Sequence, residues 1–73
     1  MKLLYYNELN TKGLKQKVKK VEQMLLKDDF KSAEVKKMQQ TGYFRAKLDR
    51  ENRLLFKFAQ FQEETYILLL EVI

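Results

Sequence analysis

The first half of the chain places its hydrophobic residues at helical spacing. Four of them recur at intervals of four, three and four residues: Leu14, Val18, Val21 and Leu25. At about 100° per residue these positions share one side of a helix. Lys15 and Lys19 fall on the opposite, polar side. The pattern predicts an amphipathic helix from about Thr11 to Lys27.

The segments on either side of this helix carry shorter signals. Lys2–Tyr6 is apolar and aromatic, which predicts a first strand. The polar connection that follows offers Asn10 or Thr11 as the N-cap of the helix. Asp28-Asp29 ends the helix, and Phe30–Met38 predicts a second, shorter helix that docks on the same core.

After Thr41-Gly42 the apolar residues alternate with polar ones, which is the period of a strand. Two stretches show this alternation, with these residues facing inward: Phe44, Ala46 and Leu48, then Leu54, Phe56 and Phe58. Pairing Leu48 with Leu54 around a polar Arg50–Asn52 turn brings every inward residue against another. The same register places Arg45 opposite Lys57 on the outward face.

The end of the sequence predicts the last strand and completes the fold class. After a polar turn at Gln60–Glu64, Thr65–Ile73 is nearly all apolar, which is typical of a central strand. The chain ends without a polar tail, so we expect a C-terminal truncation. We predict a single α+β domain over 1–73, with the element order β-α-α-β-β-β. Its antiparallel sheet has about four strands, and two N-terminal helices cover one face.

Composition excludes several kinds of site. The 73 residues include no Cys and no His, so the usual zinc sites and His-based catalytic triads are excluded. There is no Gly-rich phosphate loop, and we expect no cofactor, no metal and no small-molecule substrate. No apolar run has transmembrane length and the N-terminus has no cleavable signal. We therefore expect a cytoplasmic protein with no membrane partner.

Charge favours a polyanionic partner. The net charge is +5, and the whole excess lies in residues 1–40. A small basic domain is typical of proteins that bind RNA, DNA or an acidic protein. The alternative is that a lysine-rich helix face only keeps the protein soluble.

Six basic residues are the candidate nucleic-acid-binding residues: Arg45, Lys47, Arg53 and Lys57 on one sheet face, with Lys15 and Lys19 on the helix. Like charges directly opposite on a sheet are destabilising. The predicted Arg45–Lys57 pair therefore indicates an anion between them, unless Glu71 or Asp49 neutralises them within the fold. Three tyrosines could stack on bases, although such residues more often pack in a core or at a sheet edge: Tyr5, Tyr6 and Tyr43.

The order of elements, together with Tyr43–Leu48 and Arg53–Lys57, resembles the RelE/ParE-like toxin superfamily. A still closer resemblance is to small N-terminal modules, of the same fold, in bacterial superfamily-one helicase-like proteins. It is carried by the KLLYYNEL start, the SAEVKKM stretch and the YFRAKL…RLLFK hairpin. The resemblance implies a ribosome, an antitoxin or a helicase protein as partner, and messenger-RNA cleavage in part of the family. Many RelE-type members place a catalytic Tyr or His just after the last strand, and nothing in this sequence matches it.

We therefore predict a toxin-like or toxin-derived module that binds nucleic acid or the ribosome through a basic sheet face, without catalysis. No catalytic residue is predicted, because a general base suited to neutral pH is missing. Glu71 would be a substitute only if its strand faces the basic side. Two alternatives stay open: a non-enzymatic protein-interaction module of a helicase-like or toxin–antitoxin system, and a messenger-RNA endonuclease toxin.

Overall fold

The computed structural model describes all 73 residues and contains one helix and a five-stranded sheet. The elements are β1 (Lys2–Tyr5), α1 (Lys15–Leu26), β2 (Lys36–Lys37), β3 (Phe44–Lys47), β4 (Arg53–Phe61) and β5 (Glu64–Val72). The strand order is β1-β5-β4-β3-β2, with β1 parallel to β5 and the other neighbours antiparallel. The α+β class is confirmed. The prediction of about four antiparallel strands and two helices is wrong in detail.

Helix α1 begins later than its apolar spacing predicted. Lys12 and Gly13 have φ values of 54° and 78°, so the chain makes a left-handed turn that cannot belong to a helix. The carboxamide oxygen of Asn10 accepts a hydrogen bond from the Lys12 backbone N–H within this turn. The N-cap is Leu14, which makes no side-chain capping bond. Neither Asn10 nor Thr11 caps the helix as predicted.

The predicted second helix at Phe30–Met38 does not form. Only one turn is present, and it ends at Glu34, whose φ is 50°. The backbone N–H of Glu34 donates to the carbonyl of Lys31, and that of Val35 donates to the carbonyl of Phe30. This is the Schellman pattern that terminates helices. The chain then enters β2, because Lys36 pairs with Arg45 of β3.

The β3–β4 hairpin has the predicted inward residues but a different register. Phe44 lies opposite Phe56 and Ala46 lies opposite Leu54, so β4 is shifted by two residues from the expected pairing. A shift of two keeps every side chain on its predicted face, because the side-chain period of a strand is two. Arg45 therefore faces Leu55 rather than Lys57, and the predicted Arg45–Lys57 pair is wrong.

Strand β5 lies between β1 and β4, which confirms that the apolar C-terminal segment is a central strand. Its hairpin with β4 closes through Gln62 and Glu63 alone, a tighter turn than the predicted Gln60–Glu64. Leu55 pairs with Glu71 and Phe56 with Leu69, which leaves Leu70 as the extra residue of a β-bulge.

The core lies between α1 and one face of the sheet, which we call the covered face. It combines residues from the helix, the following turn and three strands: Val18, Val21, Leu25, Ala33, Ala46, Leu54, Phe56, Ile67, Leu69 and Val72. Four phenylalanines of this region pack ring against ring: Phe30, Phe44, Phe56 and Phe58. Phe44 is stacked on Phe56, with 5.6 Å between the ring centroids. No helix in the structure has the length and apolar character needed to span a bilayer.

Candidate nucleic-acid interface

The face of the sheet away from α1, which we call the open face, carries the outward-pointing residues of every strand. Directly opposed residues in neighbouring strands share a face. The register therefore sets Lys36, Arg45, Leu55 and Glu71 in one row across four strands, and Lys47 beside Arg53 in the next. No helix lies over these rows. The prediction that Arg45 and Lys47 share one sheet face is confirmed by their strand positions.

Four cations of this face surround a small cleft of about 50 Å³, which we call the cation cleft. Its lining is entirely charged: Glu34, Lys36, Arg45, Lys47 and Arg53. Two pairs of like charge lie directly opposite one another, Lys36 with Arg45 and Lys47 with Arg53. Such pairs disfavour the isolated sheet, and a bound anion between them would relieve the repulsion.

Acidic residues of the fold neutralise this cluster only in part. Arg45 and Lys36 take part in no ion pair and no side-chain hydrogen bond. Asp49 is engaged elsewhere, with its Oδ2 at 3.0 Å from the Nζ of Lys17. Glu71 makes no ion pair and is separated from Arg45 by Leu55, although it lies on the same face. Neither of the two expected internal partners therefore neutralises Arg45.

Arg53 is held in place by the turn that precedes it. Its Nη1 donates to the carbonyl oxygens of Asp49 at 2.7 Å and Asn52 at 3.0 Å. The carboxylate of Asp49 in turn accepts bonds from the backbone N–H groups of Glu51 and Asn52. The hydrogen bonds from Lys17, Asn52 and the turn hold the pKa of Asp49 well below its ordinary value. The turn thus holds the Arg53 side chain in position at the cleft. Because Nη1 already donates to the turn, fewer N–H groups of Arg53 are available to a ligand.

Lys57 lies on the open face but outside the cation cleft. It pairs in register with Leu68 of β5, and its Nζ lies 5.9 Å from the ring centroid of Tyr43. That geometry is a weak cation–π contact. A long polyanion could reach Lys57 and the cleft together, whereas a single phosphate in the cleft could not.

Lys15 and Lys19 do not join the sheet cations. Both belong to α1, which packs against the covered face through Val18, Val21 and Leu25. Their exposed side chains therefore lie on the far side of the molecule from Arg45. The structure separates the six predicted binding residues into an open-face group of four and a helix pair.

The tyrosines have different surroundings. The hydroxyl of Tyr5 donates to Oε1 of Glu22 at 2.8 Å, and Glu22 is only 8% exposed. Burial, with the hydrogen bond and the negative charge of Glu22, raises the pKa of Tyr5. The ring of Tyr43 lies beside an open-face cation, Lys57. The hydroxyl of Tyr5 therefore has a structural role, since it satisfies a buried carboxylate, although much of the side chain is exposed.

Two residues of the cleft, Glu34 and Lys36, carried no signal in the sequence. Glu34 lines the cation cleft, and its Oε2 lies 3.6 Å from the Nζ of Lys47. Its place depends on the early end of the turn at Phe30–Glu34, where the apolar pattern predicted a continuing helix. Lys36 was missed for the same reason.

Comparison with known proteins identifies the fold. No protein-family profile matches the sequence, and no curated protein matches it. Among solved structures, the chain is similar to a YoeB/ParE toxin from Agrobacterium tumefaciens, with a TM-score of 0.66 and 13% sequence identity. The match covers 99% of this chain and 96% of the toxin. At that identity the likeness concerns the fold alone. The chain has the fold of the RelE/ParE-like toxins.

Proposed function

We propose that this protein is a toxin-like or toxin-derived module that binds single-stranded RNA in the cytoplasm through its open face. The observation that carries the proposal is the opposition of like charges in the cation cleft. Lys36 faces Arg45, Lys47 faces Arg53, and Arg45 has no acidic partner within the fold. A chain that retains such an arrangement gains binding energy from a ligand that brings negative charge.

Phosphate oxygens are the groups that suit this cleft. Arg offers several N–H donors in a planar fork and Lys a compact charge, and both bind phosphate oxygens strongly. Lys57 lies along the same face beyond the cleft, so a chain of phosphates can contact more cations than one phosphate can. Tyr43, beside Lys57, offers an exposed aromatic face on which an unpaired base could stack.

We propose binding without cleavage. Cleavage of RNA through its 2′-hydroxyl needs a group that accepts the proton. The sequence has no His, and the carboxylate in the cleft, Glu34, is paired with Lys47. Glu71 lies on the same face but is held one strand away from Arg45 by Leu55. In the free protein Glu34 is therefore engaged by a cation and Glu71 lies one strand away, so the cleft holds no unpaired carboxylate to act as a base.

The test compares two double variants with equal changes of charge. Arg45→Gln/Lys47→Gln removes two cations of the cleft, while Lys15→Gln/Lys19→Gln removes two from the exposed side of α1. A fluorescent single-stranded RNA is titrated at several salt concentrations, and the products are run on a denaturing gel. For single strands each phosphate contact contributes about 0.7 to the slope of log affinity against log salt.

We expect the cleft variant to lower that slope by about 1.4, and the helix variant to leave it nearly unchanged. Equal losses in both variants would show that only the overall charge matters, which contradicts a site on the open face. Absence of binding by the wild type at low salt would refute the proposal. Shortened RNA on the gel would instead support a messenger-RNA endonuclease.

A second candidate function is a protein-interaction module, as in an antitoxin-like or helicase-like partnership. It is favoured by the exposed side chains at the free edge of β1, where Leu4, Tyr5 and Tyr6 are 45%, 54% and 46% exposed. An edge strand can accept a further strand from another chain. Co-purification of a partner that survives high salt, and is lost in Leu4→Lys, would support this function over RNA binding.

A further inference from the structure

Glu34 lines the cation cleft together with its four cations. The backbone N–H of Lys47 donates to the carbonyl oxygen of Ala33 at 2.9 Å, so the chain before β2 still runs beside β3. This contact brings the Glu34 carboxylate to 3.6 Å from the Nζ of Lys47. Glu34 is thereby the single acid among the five residues that line the cleft.

The backbone at Glu34 favours a different residue. Its φ of 50° is the left-handed conformation at the end of a Schellman turn, where Gly is preferred. Five other non-Gly residues also have positive φ: Lys12, Asp28, Gln40, Gln62 and Glu63. None of these five lines the cation cleft. The strained backbone alone therefore does not single out Glu34, whereas the position of its carboxylate among four cations does.

We propose that Glu34 is an internal counter-anion, which occupies part of the cation cleft in the free protein and is displaced by the phosphates of the ligand. The inference rests on the proposed function and adds its regulation. Carboxylate and phosphate oxygens accept the same N–H donors of Lys47. The Glu34 carboxylate, 3.6 Å from the Nζ of Lys47, therefore opposes the binding of a phosphate there by competition and by charge repulsion. Both are relieved when the carboxylate moves out of the cleft.

This arrangement selects the kind of ligand. Glu34 belongs to the same chain as Lys47, so it competes at a high effective concentration against any free anion. A lone inorganic phosphate has to overcome that competition with one contact. An RNA strand contacts further cations, such as Arg45 and Lys57, and overcomes it more easily. The cleft then discriminates against small anions in favour of a polyanion.

The experiment uses the full chain, the same fluorescent single-stranded RNA, and the variants Glu34→Gln and Glu63→Gln. Glu63 is a matched control, because it carries the same charge and also has positive φ, 65°. It lies in the turn after β4, while Arg53 begins that nine-residue strand. At about 3.3 Å per residue, Glu63 is therefore separated from Arg53 by more than twice the Debye length of about 8 Å, so its charge is largely screened from the cation cleft.

We expect Glu34→Gln to tighten RNA binding by roughly two- to five-fold, the range that loss of an exposed ion pair supports. Glu63→Gln should change the affinity by less than that. In a Lys47→Gln background the gain from Glu34→Gln should disappear, because the cation that it releases is gone. A gain that persists without Lys47 would show a general charge effect and overturn the inference.

The remaining outcomes separate this inference from the proposed function. If the wild type binds RNA and both variants behave alike, Glu34 is no counter-anion although the open face still binds. If only Glu34→Gln binds, the inference stands, since the wild-type cleft is then closed by its own carboxylate. If none of the proteins binds RNA, the proposed function and this inference fail together. Circular dichroism confirms that each variant is folded.

Discussion

The two faces of the sheet are built from the same strands, but only one of them is covered by the helix and holds the core. On the covered face Leu54, Phe56 and Ile67 are 0% exposed. One residue away along the same strands, Arg53 and Lys57 face solvent on the open face. Alternate positions of one strand therefore serve the core and the face that is proposed to bind RNA. A change on one face should therefore leave the other property nearly intact.

The largest effect is expected from truncation on the covered face. Phe56→Ala removes a ring that packs on Phe44 and Phe58, and leaves a cavity in the only core. The free energy of unfolding should fall by about 3–5 kcal/mol, as measured by urea denaturation. Leu55→Ala, at the neighbouring half-buried position of the open face, should cost roughly 1 kcal/mol. Similar losses from the two would contradict the division between faces.

The turn at Asp49 should make the stability of the fold sensitive to acid. The folded state lowers the pKa of Asp49, so its stabilisation is present above the unfolded pKa of about 3.9 and is lost as the pH falls towards the folded value. Asp49→Ala should therefore unfold at a lower temperature than the wild type at pH 7, and the difference should shrink at pH 3.

Asp49→Asn provides the control for charge in that turn. An amide oxygen can still accept the backbone bonds from Glu51 and Asn52, while the ion pair with Lys17 is lost. We expect an intermediate loss at pH 7 that no longer depends on acid. A wild-type advantage over Asp49→Ala that stays constant from pH 7 to pH 3 would contradict the role of the carboxylate charge.

The β4–β5 turn offers a gain in stability without a change on either face. Gln62 and Glu63 have φ values of 51° and 65°, the conformation of a type I′ turn that favours Asn-Gly. Gln62→Asn/Glu63→Gly should raise the free energy of unfolding by about 1 kcal/mol, since a left-handed conformation is costly for residues with a Cβ. Thermal denaturation checks this, and a loss of stability would show that the turn is not strained.

The smallest effect on stability is expected on the open face. Arg45→Gln/Lys47→Gln removes two cations that repel their neighbours, so the free energy of unfolding should change by no more than about 0.5 kcal/mol. The same variant should lower the slope of log RNA affinity against log salt by about 1.4. A loss of several kcal/mol in urea denaturation would mean that these cations support the fold, and the separation of the faces would fail.

The sequence by itself determined the features that depend on local periodicity. The apolar spacing of Val18, Val21 and Leu25 indicated the helix and its buried side, and the alternation at Phe44–Lys47 indicated which residues face inward. The predicted inward residues of the β3–β4 hairpin were right although its predicted register was wrong, because a shift of two residues leaves every side chain on the same face. The resemblance to the RelE/ParE-like toxins rested on the order of the elements that these periodicities predicted.

Only the tertiary structure decided the features that join distant segments. The parallel pairing of β1 with β5 brings Leu3 beside Ile67, and no local pattern encodes such a partner. Pairing of Lys36 with Arg45 made a strand where the apolar spacing predicted a helix. The cation cleft, with Glu34 on one side, depends on that pairing. Local periodicity reports which side of an element is apolar, whereas long-range backbone hydrogen bonds decide which elements meet.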